Sequence, residues 1–214
     1  MFEKWFVKDY EKKLLKKYGK NKAGLTNNIR LLIITDTHNC LHYDEESLEK
    51  IKNAEYDVCL LLGDVTGGDI YEILKIVPHD KIYGLLGNHD SFDSFDEFKI
   101  NNLHGKVIEV NNVKIAGIQG SHRYKQGIHV LYTHEESIEI ADKLPEADIL
   151  VSHDKPFLID NKDNVHDGLK GITYYCYKNH IKVQIHGHLH DDTEDTLKNG
   201  TKVYGKYKVA VLNL

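Results

Sequence analysis

Short apolar runs, each ended by a small polar cluster, set the rhythm of this chain. Leu31 to Thr35, Val58 to Leu62, Ile82 to Leu86, Ile149 to Val151 and Val183 to Ile185 read as strands. Helical patterns fall between them at residues 45–55, 69–77 and 168–179, the first opening on Glu45 and Glu46, where a helix favours acids. This alternation predicts an α/β fold, a sheet with helices on its faces. From Lys106 to Gln119 the pattern changes. Two β-rich runs, Val107 to Val110 and Val113 to Ile118, flank Asn111-Asn112, a hairpin turn made of residues that tolerate positive φ. Thr133, with Glu136 three residues on, makes a capping box and opens another helix. A final hairpin turns at Asn199-Gly200 and returns through Lys208 to Leu212.

Before the first strand, Phe2, Phe6, Tyr10, Leu14 and Tyr18 recur every four residues among lysines, the pattern of an amphipathic helix. It ends near Tyr18-Gly19 and leads through a polar linker to about Asn28, so we divide the chain into residues 1–28 and a domain at 29–214. The expected role is a helix packed on the domain and covering an edge. The alternatives are a homo-oligomer contact, or a basic face on nucleic acid or an anionic membrane.

The 214 residues suit one domain, and 41% hydrophobic content is enough for a sizeable core. The apolar runs stop well short of the ~20 residues of a transmembrane helix. Met1-Phe2-Glu3-Lys4-Trp5 does not open a signal peptide. Three cysteines without paired spacing do not make a disulfide framework. The expected location is cytoplasmic. Eight lysines face three acids within residues 1–22, so the rest of the chain is more acidic than the net charge of -5 suggests. Part of that acidity lies in the candidate metal ligands below, and no basic stripe follows the N-terminus.

The polar clusters carry the chemistry. Asp36-Thr37-His38, Gly63-Asp64, Gly87-Asn88-His89-Asp90, Ser152-His153-Asp154 and Gly187-His188-Leu189-His190 each follow a strand, and strand ends are where a sheet gathers distant residues into one crevice. Residues i and i+2 of an extended chain point the same way, so Asp36 and His38 can hold one ion together; His188 and His190 share that spacing. A carboxylate such as Asp64 can bridge two cations. Two such ions, roughly 3.5–4 Å apart, hold phosphate oxygens and a shared water that ionises near neutral pH and attacks phosphorus in line. Nitrogen and oxygen ligands without thiolate suit two divalent ions, manganese first, with Fe, Zn, Ni and Co as alternatives. His89 is left to protonate the departing alkoxide, with Asp90 to orient it. Singly these clusters are turns and caps; it is their combination, in order and at strand ends, that reads as a site.

The same series resembles the calcineurin-like metallophosphoesterase superfamily over about residues 30 to 212, with no motif position substituted. The resemblance implies a four-layer α/β/β/α sandwich with two mixed β-sheets and metals at the sheet ends. Asp36, His38 and His190 would hold the first metal, Asn88, His153 and His188 the second, and Asp64 would bridge them. Gly63-Asp64-Val65-Thr66-Gly67-Gly68-Asp69 lacks the Arg of the protein phosphatases, and the third motif ends in Asp90 where they carry Glu. The expected activity is therefore that of the small phosphodiesterase-type members, on a small phosphodiester or nucleotide. A nuclease acting on nucleic-acid ends and a non-catalytic scaffold like the retromer subunit are the alternatives; the complete ligand set and His89 argue against the scaffold. Outside the motifs, Gly117 to Tyr124 is a glycine-punctuated loop in which His122 or Arg123 could contact phosphate in place of the missing Arg. His42, His79, His104, His129, His134, His166 and His180 lack ligand spacing and read as surface residues. His186 reads as a residue supporting the centre.

Overall fold

In the computed structural model, residues 2–21, 24–126, 130–157 and 166–214 are described, with side chains from residue 9 onward; Phe2, Phe6 and His129 therefore fall outside the side-chain description. Two sheets make the frame. In the first, β1 (Arg30–Thr35), β2 (Val58–Leu62), β3 (Ile82–Leu85) and the short β4 (Asn101–Asn102) run parallel in that order. The second contains β5 (Val107–Val110), β6 (Val113–Ile118), β9 (Ile149–Ser152), β10 (Val183–His186), β11 (Thr193–Thr196) and β12 (Lys202–Gly205), in the order β11-β12-β10-β9-β6-β5. Its four central strands are parallel and its two edges antiparallel. The small pair β7 (Ser121–His122) and β8 (Leu131–Tyr132) stands apart.

Alternation along the strands builds the layers. Leu31 and Ile33 of β1, Leu60 and Leu62 of β2, Ile115 of β6, Ile149 and Val151 of β9 and Ile185 of β10 form one buried cluster between the sheets. Their neighbours point outward. Leu32, Ile34, Cys59 and Leu61 meet Ile51 of α2 (Glu45–Asn53) and Ile70 and Ile73 of α3 (Gly67–Leu74). Ala116, Ile118 and Leu150 meet Ala141 of α4 (His134–Lys143) and Ile172, Tyr175 and Cys176 of α5 (Lys170–Lys178). The result is helix, sheet, sheet, helix: the four-layer sandwich with two mixed sheets. Strands covered on both faces lose their polar alternation, so β1 and β2 read as continuous apolar runs.

Three sequence features take the expected form. Asn111 and Asn112 both have positive φ (52° and 60°) in the β5–β6 turn. The Thr133 capping box is complete, and Gly200 turns the β11–β12 hairpin at φ 99°. The final hairpin needs correction. Its return strand is β12 and stops at Gly205. The chain then passes Lys206 and Tyr207 and enters β13 (Lys208–Asn213), which joins the other sheet antiparallel to β1. The last strand thus ties the two sheets together.

The N-terminal helix α1 (Phe2–Tyr18) packs on α5 and on the tip of the β11–β12 hairpin. Leu14 joins the α4/α5 cluster, and buried Glu11 accepts from the Tyr177 hydroxyl at 2.7 Å and pairs with Lys198. Among the described residues, no helix is long and apolar enough to cross a membrane.

Candidate metal centre

Where β1, β2 and β10 end, the backbone leaves extended geometry abruptly. Asp36, His38, Asp64, His188 and His190 all have φ between 47° and 67°. This left-handed region costs most residues energy, and Asp and His are among those that enter it more readily than others. Five of the seven candidate ligands therefore sit on turns tight enough to aim a side chain back over the sheet ends. The turns interlock: Asp36 N–H donates to Gly63 O at 3.0 Å, His38 N–H to Asp64 O at 3.1 Å, and Gly187 N–H to His153 O at 3.1 Å. Two glycines owe their identity to this crowding. A Cβ on Gly87 would lie 2.1 Å from Asp64 Oδ1, and one on Gly187 would lie 2.4 Å from Asp36 Oδ2.

The side chains form two groups around the carboxylates. In the first, Asp36, His38 and His190 bring ligand atoms within 4.8 Å of one another. The Nε2 atoms of His38 and His190 are 3.2 Å apart, and His190 Nε2 is 3.4 Å from Asp36 Oδ1. In the second, His153 Nε2 lies 2.8 Å from Asn88 Oδ1, and the His188 ring lies 4.9 Å from that of His153. Asp64 Oδ2 stands between the groups, 3.9 Å from His38 Nε2 and 3.6 Å from His153 Nε2. The carboxylates are held from behind. Asp36 Oδ2 accepts from the Thr35 hydroxyl at 2.6 Å and His188 N–H at 2.8 Å, and Asp64 Oδ1 accepts from His89 N–H at 2.9 Å.

This arrangement calls for positive charge. His153 Nδ1 is 2.8 Å from Leu62 O and must carry its hydrogen there. In the neutral ring Nε2 is then a lone pair, facing the Asn88 carbonyl oxygen at 2.8 Å. Two acceptors at that distance repel unless a proton or cation lies between them. Among the described residues, Asp36 Oδ1 and His188 Nε2 are likewise buried without a hydrogen-bond partner. Ionisation follows the same logic. Burial pushes Asp36 up, but His190, His153, the Thr35 hydroxyl and the His188 amide outweigh it and bring the carboxyl to about 2. Burial pushes His153 down, and Asp64 and Asp36 more than reverse this. Burial takes His188 down to about 3, so it is neutral and ready to ligate at neutral pH. The nitrogen and carboxylate donors of these groups fit divalent cations.

The family model for calcineurin-like phosphoesterases matches residues 29–192, which contain every one of these candidate ligands. The chain belongs to the calcineurin-like phosphoesterase family. Two similar proteins are uncharacterized. That of Haemophilus influenzae is 27% identical over 179 residues, 66% of this chain and 76% of its own. That of Methanocaldococcus jannaschii is 27% identical over 182 residues, 76% of this chain and 81% of its own. Among solved structures, TT1561 of Thermus thermophilus aligns with TM-score 0.59 at 12% identity, covering 87% of this chain and 98% of that one. The phosphopantetheinyl hydrolase of Mycobacterium tuberculosis aligns with TM-score 0.57 at 13% identity, covering 86% and 91%. These likenesses are of fold.

Around this candidate centre lie the remaining sequence candidates. The His89 ring is exposed and packs edge-on against His38, with centroids 5.4 Å apart. Asp90, expected to orient His89, faces inward instead: Oδ2 accepts from Asp64 N–H at 2.8 Å and Gly87 N–H at 2.7 Å. Burial raises its carboxyl to about 6, with those amides opposing and Asp64 adding to the rise. Asp90 holds two ligand loops together. Arg123 is also engaged elsewhere. Its guanidinium donates to Glu136 at 2.8 Å and Leu131 O at 3.1 Å, binding the loop to the start of α4. His122 stacks on His134 at 4.3 Å. Neither bonds to a ligand among the described residues. His186 is buried, with Nδ1 2.8 Å from Gly187 O.

Three histidines assigned to the surface are not simple surface groups. His104 and His134 are half-buried and burial lowers each to about 4, while the His166 ring lies 5.0 Å from that of His188. Sequence reasoning also passed over two supporting residues. Asp69 is buried and accepts from the N–H groups of Asn39 (2.8 Å) and Leu41 (2.9 Å), fixing the first ligand loop. Tyr124 accepts from Asn88 Nδ2 at 3.1 Å. Asp69 had a faint signal, an acid five residues after Asp64 at the start of a helix; Tyr124 had none beyond its glycine-rich loop.

Proposed function

We propose that this protein is a dinuclear metal-dependent phosphohydrolase whose substrates are phosphodiesters. The observation that carries this reading is Asp64 Oδ2, placed between His38 and His153 so that one carboxylate serves both ligand groups. Asp36, His38, His190 and Asp64 would hold one ion, and Asp64, Asn88, His153 and His188 the other. When bound, the ions supply Lewis acidity to phosphoryl oxygens and a water acidified enough to attack at neutral pH. Manganese is the first metal to test.

The chain's own residues do the rest. The His89 amide is fixed on Asp64, so its ring projects at the opening beside His38. A ring N–H there is suited to protonate the departing alkoxide. Preference for diesters follows from charge. A monoester dianion calls for a further cationic clamp, and Arg123 already pairs with Glu136. A diester carries one negative charge and has less need of it.

The test is hydrolysis of bis-p-nitrophenyl phosphate and p-nitrophenyl phosphate after chelation and readdition of Mn²⁺, with Asp64→Ala alongside. Turnover restored by metal, faster on the diester and lost in the variant, is the expected result. A faster monoester reaction would overturn the diester assignment, and metal-independent turnover would overturn the mechanism.

A further inference from the structure

Among the candidate ligands, Asn88 is the neutral amide, the weakest donor and the one with least charge to hold it in place. A carboxylate presents an oxygen whichever way it turns. An amide presents oxygen at one end only, and its terminal torsion is broad unless something fixes it. Three other buried candidate ligands are tied through their side chains to fixed partners, Asp36 to Thr35 and His188 N–H, Asp64 to His89 N–H, and His153 to Leu62 O, whereas His188 Nε2 has no such tie among the described residues. Among the described residues, Asn88 has one such tie, from Nδ2 to the Tyr124 hydroxyl at 3.1 Å. Its other end points at His153 Nε2, 2.8 Å away, across the position where a proton, or a cation in its place, must lie.

The tie is itself well supported. Tyr124 follows β7, and its neighbour Arg123 is fixed twice: its N–H donates to Tyr132 O at 3.0 Å and its guanidinium pairs with Glu136 at the start of α4. The phenol therefore stands on a loop braced by a capped helix.

We propose that Tyr124 is a positioning residue of the metal centre, its hydroxyl holding the Asn88 amide in the plane that presents Oδ1 to the second ion. The inference rests on the dinuclear reading above. Partners that orient a ligand typically contribute 10–100-fold to metal affinity.

The experiment is Mn²⁺ titration of metal-free wild type and Tyr124→Phe, followed by calorimetry and by the exchange-coupled signal of a Mn pair in electron paramagnetic resonance. Turnover of the diester is measured across the same metal range. Expected for the variant are first-ion affinity and metal-free melting temperature like wild type, second-ion affinity lower by ~10-fold or more, and a kcat that recovers at high Mn²⁺. Tyr124→Leu, which also lacks the hydroxyl, should give the same shift and serves if the Phe variant folds poorly. Coincident Mn²⁺ titrations of wild type and variant would overturn the proposal. So would a kcat that falls without a shift in metal midpoint, since Tyr124 would then act on substrate. A wild type that binds one ion or none would instead remove the dinuclear reading, a result visible before any variant is made.

Discussion

His89 and Gly87 separate chemistry from architecture at the level of single residues. His89 offers its amide to Asp64 and its ring to the opening, so His89→Ala keeps the amide contact and removes only the ring. Its expected signature is unchanged Mn²⁺ stoichiometry with kcat lower by ~10²-fold or more, read by calorimetry and steady-state kinetics. Gly87→Ala should do the reverse: its Cβ meets Asp64 Oδ1 and backbone N, so metal binding itself should weaken. A variant that titrates like wild type would show that the loop yields at little cost. The candidate ligands, and their gathering at one place, were legible because Asp, Asn and His at strand ends announce themselves by type and spacing. Residues that act through the backbone were not. Asp90 reads as a partner for the adjacent His89 until the fold shows its carboxylate accepting from two amides, one of them 26 positions back. Tyr124 is 36 positions from the amide it binds, on a loop whose path no local pattern encodes.

Among the elements, α1 and the β4–β6 segment offer the clearest tests. Glu11 is buried between α1, α5 and the hairpin, where it serves both Tyr177 and Lys198. Glu11→Ala leaves those groups without their acceptor and should cost about 1–3 kcal/mol in urea unfolding, with kcat/KM unchanged. A loss of activity without loss of stability would mean that α1 reaches the site. His104 gives the fold an acid limb. It accepts from Gln119 N–H through Nδ1 at 3.2 Å and stacks on Tyr132, and burial lowers it to about 4. The unfolded chain binds the proton first, at about 6.5. The neutral ring therefore stabilises the fold fully above that pH, and its contribution is lost as pH falls from 6.5 towards 4. His104→Asn should flatten urea stability over that window by up to ~3 kcal/mol, and an unchanged slope would refute this. The strands were readable as runs, and so were the two-Asn turn and the capping box. The partner of β13 was not, because the pairing of Lys208–Asn213 with β1 spans nearly the whole chain and leaves no local mark.

The whole molecule should sense its metals as stability. Ions that bind the folded state alone add about 2.7 kcal/mol per site at a hundredfold excess over Kd, and a domain of this size gains roughly 2–4 °C per kcal/mol. Chelation should therefore lower the melting temperature of wild type by several degrees and leave Asp64→Ala little changed; equal responses would show that Asp64 is not a ligand. The left-handed turns at Asp36, His38, Asp64, His188 and His190 carry one more consequence. A mutational scan scored only for folding without metal should prefer glycine at these five positions, where it relieves backbone strain and removes groups that await a cation. The same scan scored for turnover should reject it. The positions where the two maps disagree would trace the catalytic centre without reference to any relative, and an engineer who followed the first map alone would arrive at a sturdier protein with its reason for existing removed.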